Sequence, residues 1–261
     1  MKIATWNVNS IRTRIEQVTD WLQANPTDII CLQETKVTDK EFPIAPFTNL
    51  GYNCYFSGQK SYNGVAILSK SPASQISAGF SPFLGEATTG VFDEQKRLLT
   101  GIVGDICIIS AYVPNGSEVG CDKYYYKLHW LKLLKEYLKI ALDKFPNLCI
   151  CGDFNIVPDD RDIHNPKACA NLVGLSAAER QALSEITELG LKDAFRKFTS
   201  EGGHYSWWDY RAGAFPRNKG WRIDHHYLSS SLYDRAKSCT IDIEPRKLIK
   251  PSDHAPVIVE I

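Results

Sequence analysis

The sequence predicts a four-layer α/β sandwich, in which two mixed β-sheets pack face to face and helices cover their outer surfaces. Three observations lead there. Eight short apolar runs recur along the chain: KIATWNV, DIICLQ, GVAILSK, RLLTGIV, ICIISAYV, NLCICGDF, RIDHHYLS and APVIVEI. Most are rich in Ile and Val and bounded by Gly, Pro, Asn or Asp, as strands are. Only three amphipathic helices interleave with them, too few for the regular strand–helix alternation of a doubly wound parallel sheet. No composition break or low-complexity linker divides the 261 residues, so a single domain spanning 1–261 is expected.

The first helix, Ile11 to Ala24, sets Ile11, Ile15, Val18 and Leu22 on one face and stops at Asn25-Pro26. The second runs from about Tyr124 to Phe145, with Leu128, Leu131, Leu138 and Leu142 at near-helical spacing. The third opens on the capping box SAAE, Ser176 to Glu179, and closes at Gly190. Gly79–Val91 and Pro158–Val173 read as long loops, a length that in compact domains often accompanies function.

Bulk composition excludes more than it selects. No run of about 18 apolar residues exists, so neither a membrane-spanning helix nor a membrane partner is expected. The N-terminal MKIATWNVNS is strand-like and lacks the charged head and apolar stretch of a signal peptide. Eight scattered cysteines without such a signal read as reduced, buried thiols in a cytoplasmic protein. Lys plus Arg and Asp plus Glu number 30 each, so overall charge says nothing for nucleic acid. Residues 211–250 carry nine Lys or Arg against four Asp or Glu, a local excess compatible with a phosphate-facing surface or with an uneven solvated face.

The informative pattern is where polar residues interrupt the strands. Asn7 ends the first run and Glu34 the second; Tyr112 and Asn115 close AYVPNG; Asp153 and Asn155 close CICGDFN. Asp224 sits in WRIDHHYL, and Asp253-His254 precede the last run. Singly, each has a bland explanation: helix caps for Asn7 and Glu34, an Asx turn for Asp153 and Asn155, a surface strand for Asp224. Jointly, they suggest polar groups converging on one sandwich edge. In GDFN, strand alternation places Asp153 and Asn155 on one side and turns Phe154 toward the core.

The chemistry open to such a set is narrow. Glu34 with a neighbouring carboxylate makes a hard-oxygen site suited to Mg²⁺. His225 and His226 are adjacent and face opposite sides of a strand, and no HExxH, CxxC or GxSxG spacing supports zinc or a serine nucleophile. Carboxylates, one His with an Asp partner, Asn amides and a Tyr hydroxyl suit metal-assisted attack of water on a phosphodiester.

The stretches WNVNSIR, LQETK, GYNCYFSGQKSYNGVAILSK, YVPNG, GDFNIVP, WWDYRAGAFPRNKGWRID and PSDHAP resemble, in order, the exonuclease III family of class II abasic-site endonucleases. This is a branch of the endonuclease/exonuclease/phosphatase superfamily, and the resemblance runs from Lys2 to Ile261. It implies a deoxyribonuclease I-like sandwich and a Mg²⁺-dependent nuclease, with Mn²⁺ as a substitute. The implied enzyme is a monomer acting on double-stranded DNA at abasic sites or 3′ ends. The nearest alternative is a superfamily phosphatase or phosphodiesterase acting on inositol or lipid phosphates.

The resemblance also implies roles. Glu34 matches the principal metal ligand, with Asn7, Asp153, Asn155 and Asp253 in the metal and water network. Asp153 matches the residue that positions or deprotonates the attacking water, and Asn155 would orient it or bond a phosphate oxygen. His254 would face the scissile phosphate, held by Asp224, and Tyr112 would stand nearby as hydrogen-bond donor or phenolate. Arg97, Asn115, Lys123 and Lys127 align with positions near the DNA backbone. Trp207, Trp221 and Ile223 match the apolar pocket for an extrahelical abasic sugar. Departures exist: Asn9 stands where some relatives carry Asp, Asn115 replaces a Gln, and His225-His226 occupy positions often apolar. The chain also lacks the long basic N-terminal extension of some eukaryotic relatives, so a bacterial-type enzyme is expected.

Overall fold

A computed structural model describes residues 1–170 and 172–261. Twelve strands appear among them: β1 Lys2–Asn7, β2 Ile29–Gln33, β3 Asn53–Ser57, β4 Val65–Ser69, β5 Ala73–Ala78 and β6 Leu98–Val103, then β7 Ile106–Tyr112, β8 Leu148–Asp153, β9 Lys192–Asp193, β10 Asp224–Leu228, β11 Ser238–Ile241 and β12 Val257–Glu260. They form two six-stranded sheets, ordered β11-β12-β1-β2-β4-β3 and β5-β6-β7-β8-β10-β9. Each sheet carries one parallel pair, β1 with β2 and β7 with β8, flanked by antiparallel neighbours.

The long helices are α1 Ile11–Ala24, α2 Asp122–Lys144 and α3 Ala177–Thr187. Val18, Trp21 and Leu22 of α1 pack on Ala4, Trp6, Ile30 and Leu32, the outer face of the first sheet. Trp130, Leu134, Tyr137 and Leu138 of α2 and Leu183 and Ile186 of α3 cover the second sheet. Between the sheets, Ile3, Ile29 and Ile67 meet Ile106, Ile108 and Cys151. The four expected layers are therefore present. Ser176 caps α3, its hydroxyl accepting from the Glu179 N–H at 3.2 Å while the Glu179 carboxylate accepts from the Ser176 N–H at 3.1 Å.

Two loop expectations need correction. Gly79–Val91 holds helical turns at Ser81–Leu84 and Glu86–Thr89, because Asp93 accepts from the N–H groups of Phe80 and Ser81 at 2.6 and 2.8 Å. The described part of Pro158–Val173 contains a 3₁₀ turn at Asp160–Asp162 and a helical turn at Pro166–Cys169 capped by Asn165.

Inside the sandwich a buried polar bridge joins the sheets. Gln33 Nε2 donates to Thr5 Oγ1 at 3.0 Å and to Ser110 Oγ of the facing sheet at 3.1 Å. Gly152 is required by close approach: a Cβ there would lie 1.9 Å from the Ala111 carbonyl oxygen.

The two adjacent histidines have structural tasks. His226 faces the other sheet, its Nε2 3.0 Å from the Val257 carbonyl oxygen. His225 faces outward, with Nε2 3.2 Å from the Ile156 carbonyl oxygen and Nδ1 3.0 Å from the Arg222 guanidinium. Arg222 is itself buried and paired with Asp162 (2.6 Å) and Asp193 (2.7 Å). Burial, with the Arg222 charge adding to it, pushes the His225 imidazole down to about 4. Between its unfolded value near 6.5 and about 4, only the unfolded chain takes up this proton, so stability falls as pH drops through that window. His225 should account for a loss of about 3 kcal/mol. Melting curves of wild type and His225→Gln between pH 7 and 4 should converge at the acid end; parallel curves would contradict the assignment.

Candidate active site

Strand direction assembles the site. The parallel strands β1 and β2 end together, with Asn7 opposite Gln33. The parallel strands β7 and β8 end together, with Tyr112 opposite Asp153. The antiparallel β10 begins at the same edge, with Asp224 opposite Asp153. Likewise β12 runs antiparallel to β1 and pairs Val257 with Thr5, which puts His254 just outside that edge. Six strands thus deliver Asn7, Glu34, Tyr112, Asp153, Asp224 and His254 to one place.

His254 is the centre. Its Nδ1 lies 2.8 Å from Asp224 Oδ2, and its Nε2 lies 3.7 Å from Asp153 Oδ2. Ser206, which gave no signal in the sequence, donates its hydroxyl to Asp224 Oδ2 at 2.7 Å and accepts the Ile223 and Asp224 N–H groups. The His254 loop is tied down as well. Ser252 Oγ donates to the Asn7 carbonyl at 2.6 Å and accepts from the His254 N–H at 3.2 Å, and Trp6 Nε1 donates to the His254 carbonyl. Burial alone would lower the His254 imidazole. The Asp224 and Asp153 carboxylates outweigh it and hold the ring up at about 10, so it is an imidazolium at neutral pH.

Asp153 is almost completely buried, and this desolvation pushes its carboxyl up to about 7. The His254 charge opposes the rise, while Asp224 and Glu34 reinforce it. Asn7 Nδ2 bridges Asp153 Oδ2 and Glu34 Oε1, each at 2.9 Å. Asn155 donates its N–H to Asp153 Oδ1 at 2.9 Å. Glu34 experiences burial as well, but Lys36, 2.8 Å away, and Asn7 hold its carboxyl below the ordinary range. Lys36 follows Glu34 by two residues in QETK, so the countercharge is visible in the sequence itself. Glu34, Lys36 and Asn155 all adopt positive φ, 50°, 56° and 50°, as non-glycine residues at functional turns do.

Glu34, Asp153 and His254 offer ligand atoms within 4.8 Å of one another. The two carboxylates are hard oxygen donors, which fit a Mg²⁺-like cation better than a soft one, and Asn7 Nδ2 between them orients both. Asp253 turns elsewhere: its oxygens accept from Asn9 Nδ2 and Trp207 Nε1, both at 2.9 Å.

Two flanks border this centre. On one, Trp207 and Trp221 pair through their backbones, with ring centroids 5.2 Å apart. They rest on Ile223, Val157, Ile163 and Leu175, and Trp207 also bridges to His254. On the other, a groove of about 480 Å³ is lined by Tyr112, Arg97, Asn115 and Lys123. The Arg97 guanidinium lies over the Tyr112 ring, 4.6 Å from its centroid. Burial raises the Tyr112 phenol well above its usual value, with Glu34 and Asp153 adding to it, so the hydroxyl keeps its proton. Lys127 does not join this surface. It is fully buried and paired with Glu179, so its expected contact with DNA is not available.

The profile of the endonuclease/exonuclease/phosphatase family matches residues 4–254. The chain belongs to this family. Within it, exodeoxyribonuclease III of Haemophilus influenzae is 35% identical over 272 residues, covering 100% of this chain and 99% of that protein. A solved AP endonuclease from Archaeoglobus fulgidus has a TM-score of 0.94 at 39% identity, covering 100% of this chain and 99% of that one. A 3′ phosphatase from Neisseria, solved with a product DNA hairpin, has a TM-score of 0.94 at 38% identity with the same coverage. This placement in the exonuclease III branch of the family makes the chain a phosphodiester hydrolase.

The His254–Asp224 couple can be checked in the metal-free protein by nitrogen-15 NMR. Both ring nitrogens of His254 should stay protonated to about pH 8. In Asp224→Asn the titration should move down; an unmoved titration would exclude Asp224 as the group holding the proton.

Proposed function

We propose that this DNA-repair nuclease hydrolyses the phosphodiester 5′ to abasic sites, leaving a 3′-hydroxyl. It also trims 3′ ends as a 3′→5′ exonuclease and 3′-phosphodiesterase or phosphatase. The observation that carries this reading is the adjacency of the His254–Asp153 pair to the half-buried Trp207–Trp221 pair. The first suits a phosphate under attack by water, and the second suits a sugar without a base. Extrusion of a nucleotide costs least where no base stacks or pairs.

In this reading Asp153, 3.7 Å from His254 at the end of β8, accepts the proton of the attacking water. Asn155 and Asn7 fix the rotation of its carboxylate. The His254 imidazolium faces a phosphate oxygen, with Asp224 and Ser206 behind it. Tyr112, which retains its proton, acts as a hydrogen-bond donor and not as a phenolate. Glu34 with Asp153 would hold Mg²⁺, or Mn²⁺ in its place, with Asn7 orienting both carboxylates; when bound, the cation supplies neutralisation of phosphate charge. Arg97, Asn115 and Lys123 contact the backbone of double-stranded DNA, which gives salt-dependent affinity without sequence preference.

One copy of the chain supplies the whole site, so the enzyme works as a monomer and as one catalytic unit over 1–261. Among the described residues no helix is long and apolar enough to cross a membrane. The eight cysteines are free, which suits a cytoplasmic enzyme.

A duplex with one synthetic abasic site should be nicked on its 5′ side with Mg²⁺ and spared with chelator. Asp153→Asn and His254→Asn should each lower the rate by about 10² to 10⁴ under conditions where circular dichroism shows the variant folded. A loss under about tenfold would remove the role assigned to that residue. Turnover confined to inositol or lipid phosphates would transfer the chain to the phosphatase side of the family.

A further inference from the structure

Lys127 sits on the inner face of α2 with no exposed surface. An ammonium has three protons to donate, and here each has a different taker. Lys127 Nζ lies 2.8 Å from the Asn155 carbonyl oxygen, 3.3 Å from that of Asn115 and 2.5 Å from Glu179 Oε1. The takers belong to the turn after β8, the loop after β7 and the first turn of α3. Glu179 is equally buried and saturated: it accepts from the N–H groups of Gly174 and Ser176 and from the Ser176 hydroxyl. Gly174 has a positive φ of 89°, and a Cβ on it would lie 3.0 Å from the Asn155 carbonyl oxygen and 3.5 Å from the Trp221 ring. Val157 N–H closes the circle on the Gly174 carbonyl at 2.8 Å.

We propose that Lys127 is a positioning residue for phosphodiester hydrolysis, acting through the Asn155 backbone on Asp153; this rests on the nuclease reading above. Asn155 is a left-handed residue whose N–H and side-chain amide both address the Asp153 carboxylate, at 2.9 and 3.4 Å. Displacement of the Asn155 backbone would carry both donors away from Asp153. Lys127 holds the Asn155 carbonyl against such a displacement, and it anchors the Asn115 carbonyl as well, where the Asn115 amide meets Asn155 Oδ1 at 3.2 Å. Two catalytic-edge loops therefore share one buried cation as their common support. Its effect falls on the turnover step, because the ammonium never reaches the DNA.

Lys127→Met alone strands the Glu179 charge in the interior and is expected to unfold more easily. The informative variant is Lys127→Met/Glu179→Gln, which removes both charges yet keeps an oxygen to cap Gly174 and Ser176. Its melting temperature should lie within about 5 °C of wild type. On an abasic-site duplex its kcat should fall by roughly tenfold or more. KM should stay within about threefold, and the slope of log Kd against log salt should be unchanged. A kcat equal to wild type in this variant would reduce the pair to a stabilising contact and overturn the proposal. A raised KM at constant kcat, with a salt slope smaller by about one, would instead make Lys127 a phosphate contact and overturn it as well. A wild type without turnover on any DNA substrate would sink the nuclease reading itself, and this inference with it.

Discussion

Everything at the catalytic edge depends on how the two sheets are aligned. Each contains a single parallel pair, and the C-terminal ends of both pairs lie on the same side. Were one sheet shifted along the strands by two residues, Asn7 and Glu34 would lie about 7 Å from where Asp153 needs them. Apolar packing alone tolerates such sliding, since Ile and Val side chains interdigitate with little directional preference. The Thr5–Gln33–Ser110 bridge does not, because a displaced Gln33 would leave buried polar atoms without partners. The residue that sets this register immediately precedes Glu34. Fold and chemistry are thus coupled within one dipeptide.

The charge distribution at the edge follows from unequal burial. Asp153, Asp224 and His254 lie in the interior, where unlike charges attract strongly and a lone carboxylate is disfavoured. Glu34 is nearer to solvent and has Lys36 beside it. The same functional group therefore behaves differently over a few ångströms: the Glu34 carboxyl is held ionised while that of Asp153 is poised near neutrality. Acid and base functions at one pH need such a separation. Here it arises from position in the layers.

Central strands and long helices were readable because burial on both faces leaves continuous apolar runs and a 3.6-residue period. The strands β3, β5, β9 and β11 went unread, and they are the four sheet edges. An edge strand such as ASQISA is half exposed, so its composition carries no distinct pattern. The site residues at strand ends were readable from motif order and resemblance. Lys127 was misassigned because sequence shows a cation but not its depth. Ser206 was invisible because its neighbours along the chain say nothing of the carboxylate it faces. The His225-His226 pair became intelligible only with Arg222 and Val257 in view.

The pairing of β1 with β12 has a temporal meaning. Residues 2–5 bond to residues 257–260, and β12 inserts between β1 and β11. The Met1 amino group meets the carbonyl of Ile261 at 2.8 Å. Asn7 and His254 lie far apart in the sequence, yet they meet at the ends of neighbouring strands of the finished sheet. The second sheet and its helices can therefore form while the first still lacks a central member. Hydrolytic competence arrives only when β12 docks between β1 and β11.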